Sequence, residues 1–433
     1  KSYKGAGIGM DVLPALLGVG YICGVRVASY LLAGGVTAWF VIMPVIALFG
    51  EDAVLYPATV PISELGAWGI WSNYIRYIGA GAVAAGGIFS LIKALPLIIR
   101  TFAQAVRGYG KNMEEESRTS QDIPIRVVLV GILITAIVMW LIPVIPVNLP
   151  GAILIVVLGF FFATVSSRMV GLVGSSNNPV SGMAIATLII TAAIYKSSGA
   201  SAEGMVSSIA VGTIICIIAA MAGDTSQDLK TGYIVGATPK KQQYGELISV
   251  VVSSMAIGGI LYLLNAAWGY GSSELPAPQA TLMKMVVEGV MGGNLPWNLV
   301  FAGVALAVAA EILTIPVLPF AVGLYLPIHL STPMAVGGLV RLWIEKKRGE
   351  EEENQKQMIE SGILYSSGLI AGEGLIGILL AVFAVLPSKR GGTVGEWLAA
   401  AGDRMNFGNI GALIMFVVLI GTLILSIQKG KEK

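Results

Sequence analysis

The chain has 433 residues, of which 55% are hydrophobic and only 12% are charged, with a net charge of +2. Its mean hydropathy is +0.81. A soluble domain carries about 25% charged residues, so this chain lacks the charge needed to cover a water-facing surface of its size. The composition excludes a soluble enzyme, a nucleic-acid-binding protein and a disordered chain. It predicts an all-α, multi-pass protein of the lipid bilayer, placed in the inner or plasma membrane of the cell.

Cysteine and histidine are too scarce for a disulfide framework or a multi-histidine metal motif. The two cysteines, Cys23 and Cys216, lie in apolar stretches, and His329 is the one histidine. We therefore expect no metal site and no metal cofactor.

Apolar segments of about 20 residues, the length that crosses the hydrocarbon of a bilayer, follow one another along the chain. They lie near residues 29–49, 74–99, 124–144, 151–167, 180–195, 204–223, 246–268, 359–386 and 407–427. Shorter apolar pieces, separated by proline or glycine, lie at 11–25, 298–314, 316–328 and 331–344. The sequence therefore predicts about 11–13 helical elements, some of them broken or re-entrant.

Basic residues concentrate in three connections, at 100–122, 224–245 and 345–358, whereas the connection at 50–72 has acidic residues and no basic one. Because Lys and Arg are retained on the cytoplasmic side of a membrane, the three basic loops are predicted to be cytoplasmic. The basic residues between 389 and 404 are the one exception to this orientation.

Two segments of the chain resemble each other, one in residues 1–100 and one in residues 298–427, on either side of the middle spans 124–268. The first reads V-L-P-x3-G and then G-G-x3-W between Val12 and Trp39, and the second reads V-L-P-x3-G and then G-G-x4-W between Val317 and Trp343. An acidic loop follows the first copy and a basic loop follows the second, which gives the copies opposite orientations. Inverted repeats with interrupted helices are typical of secondary transporters, although chance recurrence of glycine and leucine is the alternative.

Residues 166–182 join two apolar spans through a polar, glycine-rich sequence that ends G-S-S-N-N-P-V-S-G. Pro179 disfavours helix at Asn178, so we expect a re-entrant loop followed by a new helix N-terminus, which attracts anionic groups. The predicted substrate-binding residues of this stretch are Arg168, Asn177, Asn178 and Ser181. The alternative is an ordinary polar connection whose asparagines cap the next helix.

Three charged residues, Asp224, Asp228 and Lys230, follow the apolar span that ends at Gly223. Ion pairs among them would form a cytoplasmic gate. A solvated helix end with a local ion pair of small value explains the same residues and is favoured.

Carboxylates inside apolar spans are rare and costly, so each is a functional candidate. Glu373 lies between two glycines and is the first candidate for proton coupling, while Glu311 is predicted to couple protons or to contact the substrate. A buried ion bridge that only holds helices together, such as Arg168 with Glu311, is the alternative. His329 is interpreted as a packing residue in preference to a proton relay.

The G-S-S-N-N-P-V-S-G stretch resembles the signature of the oligopeptide transporter (OPT) family, in the form of its bacterial and yellow stripe-like branch. Three further stretches are similar to the same family: D-T-S-Q-D-L-K-T-G with G-A-T-P in 224–239, P-F-A-V-G-L-Y-L-P in 319–327, and G-V-G-Y-I with G-V-R in 18–26. Together these matches cover most of the chain.

The resemblance implies import of small oligopeptides with protons, with Tyr325 among the substrate-binding residues. Import of metal–amino-acid or siderophore chelates is the alternative, because both substrate types present carboxylates and amines. Family members usually carry further N-terminal spans, so the chain is interpreted as the C-terminal part of a longer protein, and a homodimer is left open. An intramembrane enzyme is a distant alternative, since the G-x-G-x-D at residues 7–11 has the wrong spacing for an aspartyl protease.

Overall fold

The computed structural model describes residues 3–108, 118–173, 180–199, 202–272, 274–275, 277–292, 296–346, 352–388, 391–403 and 408–429. These residues form helices, with an isolated β-bridge between Pro387 and Thr393. Among them, six helical segments are long and apolar enough to cross a membrane. The prediction of an all-α, multi-pass membrane protein is confirmed.

The helices are bounded as follows. They are α1 (Pro14–Val36), α2 (Met43–Phe49), α3 (Ile62–Ile70), α4 (Arg76–Gly108), α5 (Ile125–Leu141), α6 (Leu149–Val173), α7 (Val180–Ser197), α8 (Ala202–Val235), α9 (Pro239–Ala267), α10 (Pro278–Gly292), α11 (Trp297–Ile312), α12 (Val317–Tyr325), α13 (Ile328–Glu345), α14 (Glu352–Val385), α15 (Val394–Asp403) and α16 (Gly408–Lys429). Two π-helical stretches join α1 to α2 (Thr37–Ile42) and α3 to α4 (Trp71–Ile75).

Several helices extend beyond their apolar segments, which corrects the predicted extent of the loops. Helix α8 runs through residues 224–235, the first part of the predicted loop 224–245, and ends before Gly236, which has a φ of 73°. The sequence before Gly236 contains no proline or left-handed glycine to stop the helix, although its hydropathy falls after Gly223. In the same way α4 covers 100–108 of the loop 100–122, and α14 begins at Glu352 inside the loop 345–358.

The chain divides into two compact units. Unit 1 comprises residues 1–83, 259–278 and 296–433, and unit 2 comprises residues 84–258 and 279–295. Unit 1 thus contains most of both similar segments.

Helix α1 crosses α12 and α13 at glycines, where the backbones touch. A methyl group at Gly34 would overlap the carbonyl of Phe320, and one at Gly323 would overlap the carbonyl of Leu31. The same reciprocal arrangement joins Gly20 to the Met334 carbonyl of α13, and Gly337 to the Leu17 carbonyl of α1. In each crossing, the contacted carbonyl lies three residues before the partner glycine.

Helices α4 and α11 form a third crossing of this kind within unit 1. Gly81 lies against the carbonyl of Val300, and Gly303 lies against the carbonyl of Ile78. In the alignment of the two similar segments, Gly34 corresponds to Gly337 and Gly323 corresponds to Gly18. The counterpart of the Gly34–Gly323 crossing is therefore a contact between Gly337 and the region of Gly18. The observed contact of Gly337 lies close by, at Gly20. Such reciprocal packing agrees with a pseudo-two-fold relation between the two similar segments.

The core of unit 1 continues on the side of α1 that faces α14 and α16. Its buried residues are Leu17, Tyr21, Ile344, Met358, Phe416, Leu423 and Ile427. This cluster holds the first half of α1 against three other helices of the unit.

Unit 2 is built around the packing of α6 on α8 and of α7 on α8. Its main buried cluster contains Val147, Ala152, Ile155, Phe162, Met183, Val211, Ile215 and Ala219. On one edge of the unit, the Arg118 guanidinium donates to the carbonyl of Gly236 over 2.8 Å and to the hydroxyl of Thr238 over 3.0 Å. This arginine satisfies the carbonyl end of α8 where the helix stops.

We expect Gly20→Ala and Gly337→Ala each to lower the stability of the purified protein in detergent by about 1–3 kcal/mol, because an added methyl group forces two backbones apart. Thermal unfolding measures the effect. Gly368→Ala on α14 is the matched control, since no described residue outside the adjoining backbone of α14 has an atom within 4 Å of the position that its methyl group would take. Equal melting temperatures for all three variants would contradict the close-crossing interpretation.

Candidate functional site

Two π-helical stretches of unit 1 contact each other, and each carries a tryptophan. Trp39 lies in Thr37–Ile42 and Trp71 begins Trp71–Ile75. The ring of Trp68 bridges them, with its centroid 5.4 Å from that of Trp39 and 5.8 Å from that of Trp71. Short π-helical segments are frequent at functional sites because they turn side chains out of the regular helical register.

The indole Nε1 atoms of Trp39 and Trp71 are both buried, and among the described residues neither has a hydrogen-bond partner. Buried donors are nearly always satisfied in proteins, and an indole nitrogen can only donate. The pair therefore presents two N–H groups suited to an acceptor such as a carboxylate or a peptide carbonyl.

Arg76 adds a positive charge directly after the second π-helical stretch. Its backbone N–H donates to the Trp71 carbonyl, and its side-chain Nε is buried with no hydrogen-bond partner in the part of the chain that the structure describes. Tyr325, a buried residue at the end of α12, packs against Gly79, which lies one turn after Arg76 on α4. We define Trp39, Trp68, Trp71, Arg76 and Tyr325 as the tryptophan site.

His329 and Asp11 lie at the edge of this site. The His329 ring is 5.0 Å from the Trp68 ring, and its Nε2 atom is 3.5 Å from Asp11 Oδ2. The backbone N–H of Asp11 also donates to the His329 carbonyl over 3.0 Å. His329 therefore packs on an aromatic ring, as the sequence suggested, and it also brings a carboxylate next to the tryptophans.

Glu373 accepts a hydrogen bond from the backbone N–H of Ala15 over 2.6 Å. Ala15 lies in the first turn of α1. The N-cap residue of this helix, Leu13, makes no side-chain hydrogen bond that caps it. A carboxylate from α14 thus satisfies and stabilises the positive end of α1. The flanking residues Gly372 and Gly374 have open space around them.

In unit 2, three side chains of α6 and α8 tie the end of α6 to α8. Ser166 donates to the Ala219 carbonyl, Ser226 donates to the Ser167 carbonyl over 2.7 Å, and Lys230 donates to the Gly171 carbonyl over 2.7 Å. We call these three hydrogen bonds the α6–α8 strap. The strap fixes the last turns of α6, directly before the signature stretch begins.

Lys230 does not pair with Asp224 or Asp228 in this structure. Both aspartates are exposed on α8, and the Lys230 ammonium binds the carbonyl of Gly171 on α6 instead. The helix continues through these residues and directs Lys230 toward α6, and a gate formed by the three residues stays a prediction.

The remaining predicted substrate residues are only partly described. Asn177 and Asn178 lie outside the described residues, and Ser181 is placed on α7 without a description of its side chain. Arg168 is exposed on α6 in unit 2, and Glu311 is half-buried on α11 in unit 1. The roles predicted for these residues stay predictions.

Among the described residues, no three His, Cys, Asp or Glu side chains converge as metal ligands. Sequence reasoning missed Trp39 as a donor, Trp71, Arg76 and the proximity of Asp11 to His329. An arginine after an apolar, tryptophan-containing segment was the one available signal for Arg76, since intramembrane charge is costly.

A family model described as "OPT oligopeptide transporter protein" matches residues 2–384. The chain belongs to the OPT family. A putative oligopeptide transporter of Haemophilus influenzae is 29% identical, in an alignment that covers 88% of this chain and 69% of that protein. The metal-nicotianamine transporter YSL3 of Arabidopsis thaliana is 25% identical over 84% of this chain and 57% of its own length. A putative oligopeptide transporter of Saccharomyces cerevisiae is 24% identical over 86% of this chain and 58% of its own length.

The OPT family and these relatives are transporters and not enzymes, which removes the intramembrane enzyme from consideration. The chain spans little more than half the length of the plant and yeast relatives. Membership in the family establishes a membrane transporter, and the substrate and its coupling are addressed below.

We expect Lys230→Met to weaken the α6–α8 strap and to increase protease cleavage near the end of α6, because the Gly171 carbonyl loses its donor. Asp224→Asn is the control, since the Asp224 side chain takes no part in the strap. Limited proteolysis of the purified protein measures the difference. Increased cleavage in the Asp224 variant, with Lys230→Met unchanged, would favour the gate instead.

Proposed function

We propose that this chain forms the transport domain of a secondary active, proton-coupled importer of small oligopeptides in the cell membrane. The observation that carries the proposal is the pair of buried, unpartnered indole N–H groups in the tryptophan site. Family membership and the relatives named as oligopeptide transporters support the substrate class.

The chemistry of the tryptophan site suits a peptide. Its two indole N–H groups and the Arg76 guanidinium are donors for a terminal carboxylate or a peptide carbonyl. The aromatic faces and the neighbouring Asp11 carboxylate are suited to a terminal ammonium group. Since backbone groups are common to all peptides, such a site accepts different side chains.

Import of a metal–amino-acid chelate is the second candidate, and the metal-nicotianamine transporters among the relatives favour it. A chelate presents carboxylates to the same donors, and its metal ion is already coordinated by the organic ligand. The described residues would therefore bind the chelate as a whole and would not ligate the metal directly.

Proton coupling is assigned to Glu373, because its carboxylate is hydrogen-bonded to the first turn of α1. Protonation would remove the negative charge that stabilises the positive end of this helix and would weaken the contact between α14 and α1. Glu311 remains the second candidate, and the cytoplasmic position of the three basic loops is part of the same proposal.

We expect Trp39→Phe and Trp71→Phe each to weaken peptide binding roughly two- to tenfold, because a hydrogen bond contributes about 0.5–1.5 kcal/mol while the aromatic ring is retained. Binding of a labelled tetrapeptide to the full-length protein in liposomes measures the effect, and an iron–nicotianamine chelate is the competing ligand. Tighter binding of the chelate than of the tetrapeptide would select the second candidate.

Trp343→Phe is the matched control for this experiment. Trp343 lies on α13 outside the tryptophan site and is 51% exposed. Unchanged affinity in the Trp39 and Trp71 variants, or an equal loss in all three, would show that the two indole N–H groups do not bind substrate.

We expect Glu373→Gln to retain substrate binding and exchange but to lose uptake driven by a pH gradient. The glutamine oxygen can still accept the hydrogen bond from Ala15, yet the side chain no longer gains or loses a proton. Liposome uptake with and without an imposed gradient separates the two activities. Glu360→Gln, an exposed change on the same helix, is the control.

Concentrative uptake by the Glu373→Gln variant, with the pH dependence of the parent, would exclude Glu373 as the coupling residue. The same measurement on Glu311→Gln then decides whether the second carboxylate has that role.

A further inference from the structure

Helix α1 is interrupted in the middle of an apolar span. Gly24 has φ 78° and ψ 168°, which lies outside the helical region and is accessible to glycine but costly for other residues. Such a break leaves the carbonyl groups of the preceding turn without their usual helical donors. In a low-dielectric environment these carbonyls need another partner.

Arg341 of α13 supplies that partner. Its Nη1 atom donates to the Ile22 carbonyl over 2.6 Å and to the Tyr21 carbonyl over 3.2 Å. Its Nε atom donates to Glu345 Oε1 over 2.8 Å, and the Arg341 side chain is 22% exposed. One guanidinium therefore joins the broken end of α1 to a carboxylate one turn further along α13.

Two carbonyl oxygens at a helix break and a carboxylate, all three bound here by Arg341, are the ligand types of a small cation site. In broken helices of membrane transporters, unwound carbonyls and half-helix C-terminal ends bind coupling cations. We propose that the break at Gly24 is a cation site whose resident cation is the guanidinium of Arg341. The tethered cation holds the first half of α1 at a fixed angle to α13.

The position of this half-helix matters for the rest of unit 1. It begins beside Ala15, whose N–H binds Glu373, and it follows Asp11, which contacts His329 on the same helix as Arg341. Arg341 is thus a positioning residue for the groups at both ends of this half-helix. The effect of Arg341 on transport rests on the proposed function, whereas the binding of its guanidinium to the carbonyl groups at the break does not.

A simple helical ion pair between Arg341 and Glu345 does not account for the geometry. An exposed pair four residues apart contributes little to stability. The two hydrogen bonds to α1 come from a residue more than three hundred positions away in the chain, and a guanidinium can serve both neighbours because its donors point in several directions.

The experiment is chemical rescue of Arg341→Ala in the full chain. We expect this variant to melt several degrees below the parent in detergent and to transport roughly tenfold more slowly. Millimolar guanidinium should raise its melting temperature and restore part of its transport, because a ligand that binds only the folded state stabilises it. An equal concentration of sodium chloride is the ionic-strength control.

Arg26→Ala is the matched control variant, because Arg26 is an exposed arginine on the interrupted helix α1, two residues beyond the break at Gly24. Neither this variant nor the parent should be stabilised by guanidinium. A melting temperature of Arg341→Ala equal to that of the parent would overturn the proposal. So would equal responses of all three proteins to guanidinium, or an equal rise with sodium chloride.

Arg341→Lys keeps a tethered cation and carries the test if the alanine variant is not recovered from the membrane. We expect the lysine variant to insert, to melt between the parent and Arg341→Ala, and to show no response to guanidinium. A lysine variant that is lost from the membrane like the alanine variant would overturn the proposal. Melting temperatures do not depend on substrate, so a parent that fails to transport peptides would contradict the proposed function alone.

Discussion

Backbone contact between helices at glycine is the constraint on which unit 1 depends. Three crossings share one geometry, in which each glycine lies against a carbonyl located three residues before its partner glycine. Helices in a membrane gain no hydrophobic driving force from associating with one another, so close packing at small residues holds them together. Because α1 crosses both α12 and α13 in this way, the interrupted helices are fixed relative to each other, and every polar contact in the unit is built on that frame.

Helix ends and breaks leave backbone N–H and carbonyl groups without helical partners inside an apolar unit. Two of the few charged side chains of the chain form hydrogen bonds with these groups. Arg341 binds the carbonyls released at Gly24, and Glu373 binds the N–H at the start of α1. Both contacts join residues from different similar segments of the chain. A change in protonation or occupancy at either contact therefore acts on the orientation of α1, the helix that leads into the tryptophan site.

In unit 2, two serine hydroxyls and one lysine ammonium group donate hydrogen bonds to backbone carbonyls and thereby join α6 to α8. The α6–α8 strap gives the D-T-S-Q-D-L-K-T-G stretch a structural role, since Ser226 and Lys230 hold the end of α6. The signature stretch starts where the strap ends.

The sequence by itself determined the class of the protein, the location of its apolar spans and its family, because hydropathy and motif letters are local properties. The apolar piece at 11–25 ends one residue after Gly24, but the interruption of α1 at this glycine was not predicted. The end of α8 was decided by Gly236, a left-handed glycine that lies beyond the apolar segment. The tryptophan site and the Arg341–Gly24 contact were decided by tertiary structure alone, because they depend on π-helical register and on crossings between residues distant in the chain. The local sequence does not indicate which arginine donates a hydrogen bond to the carbonyl groups at a helix break.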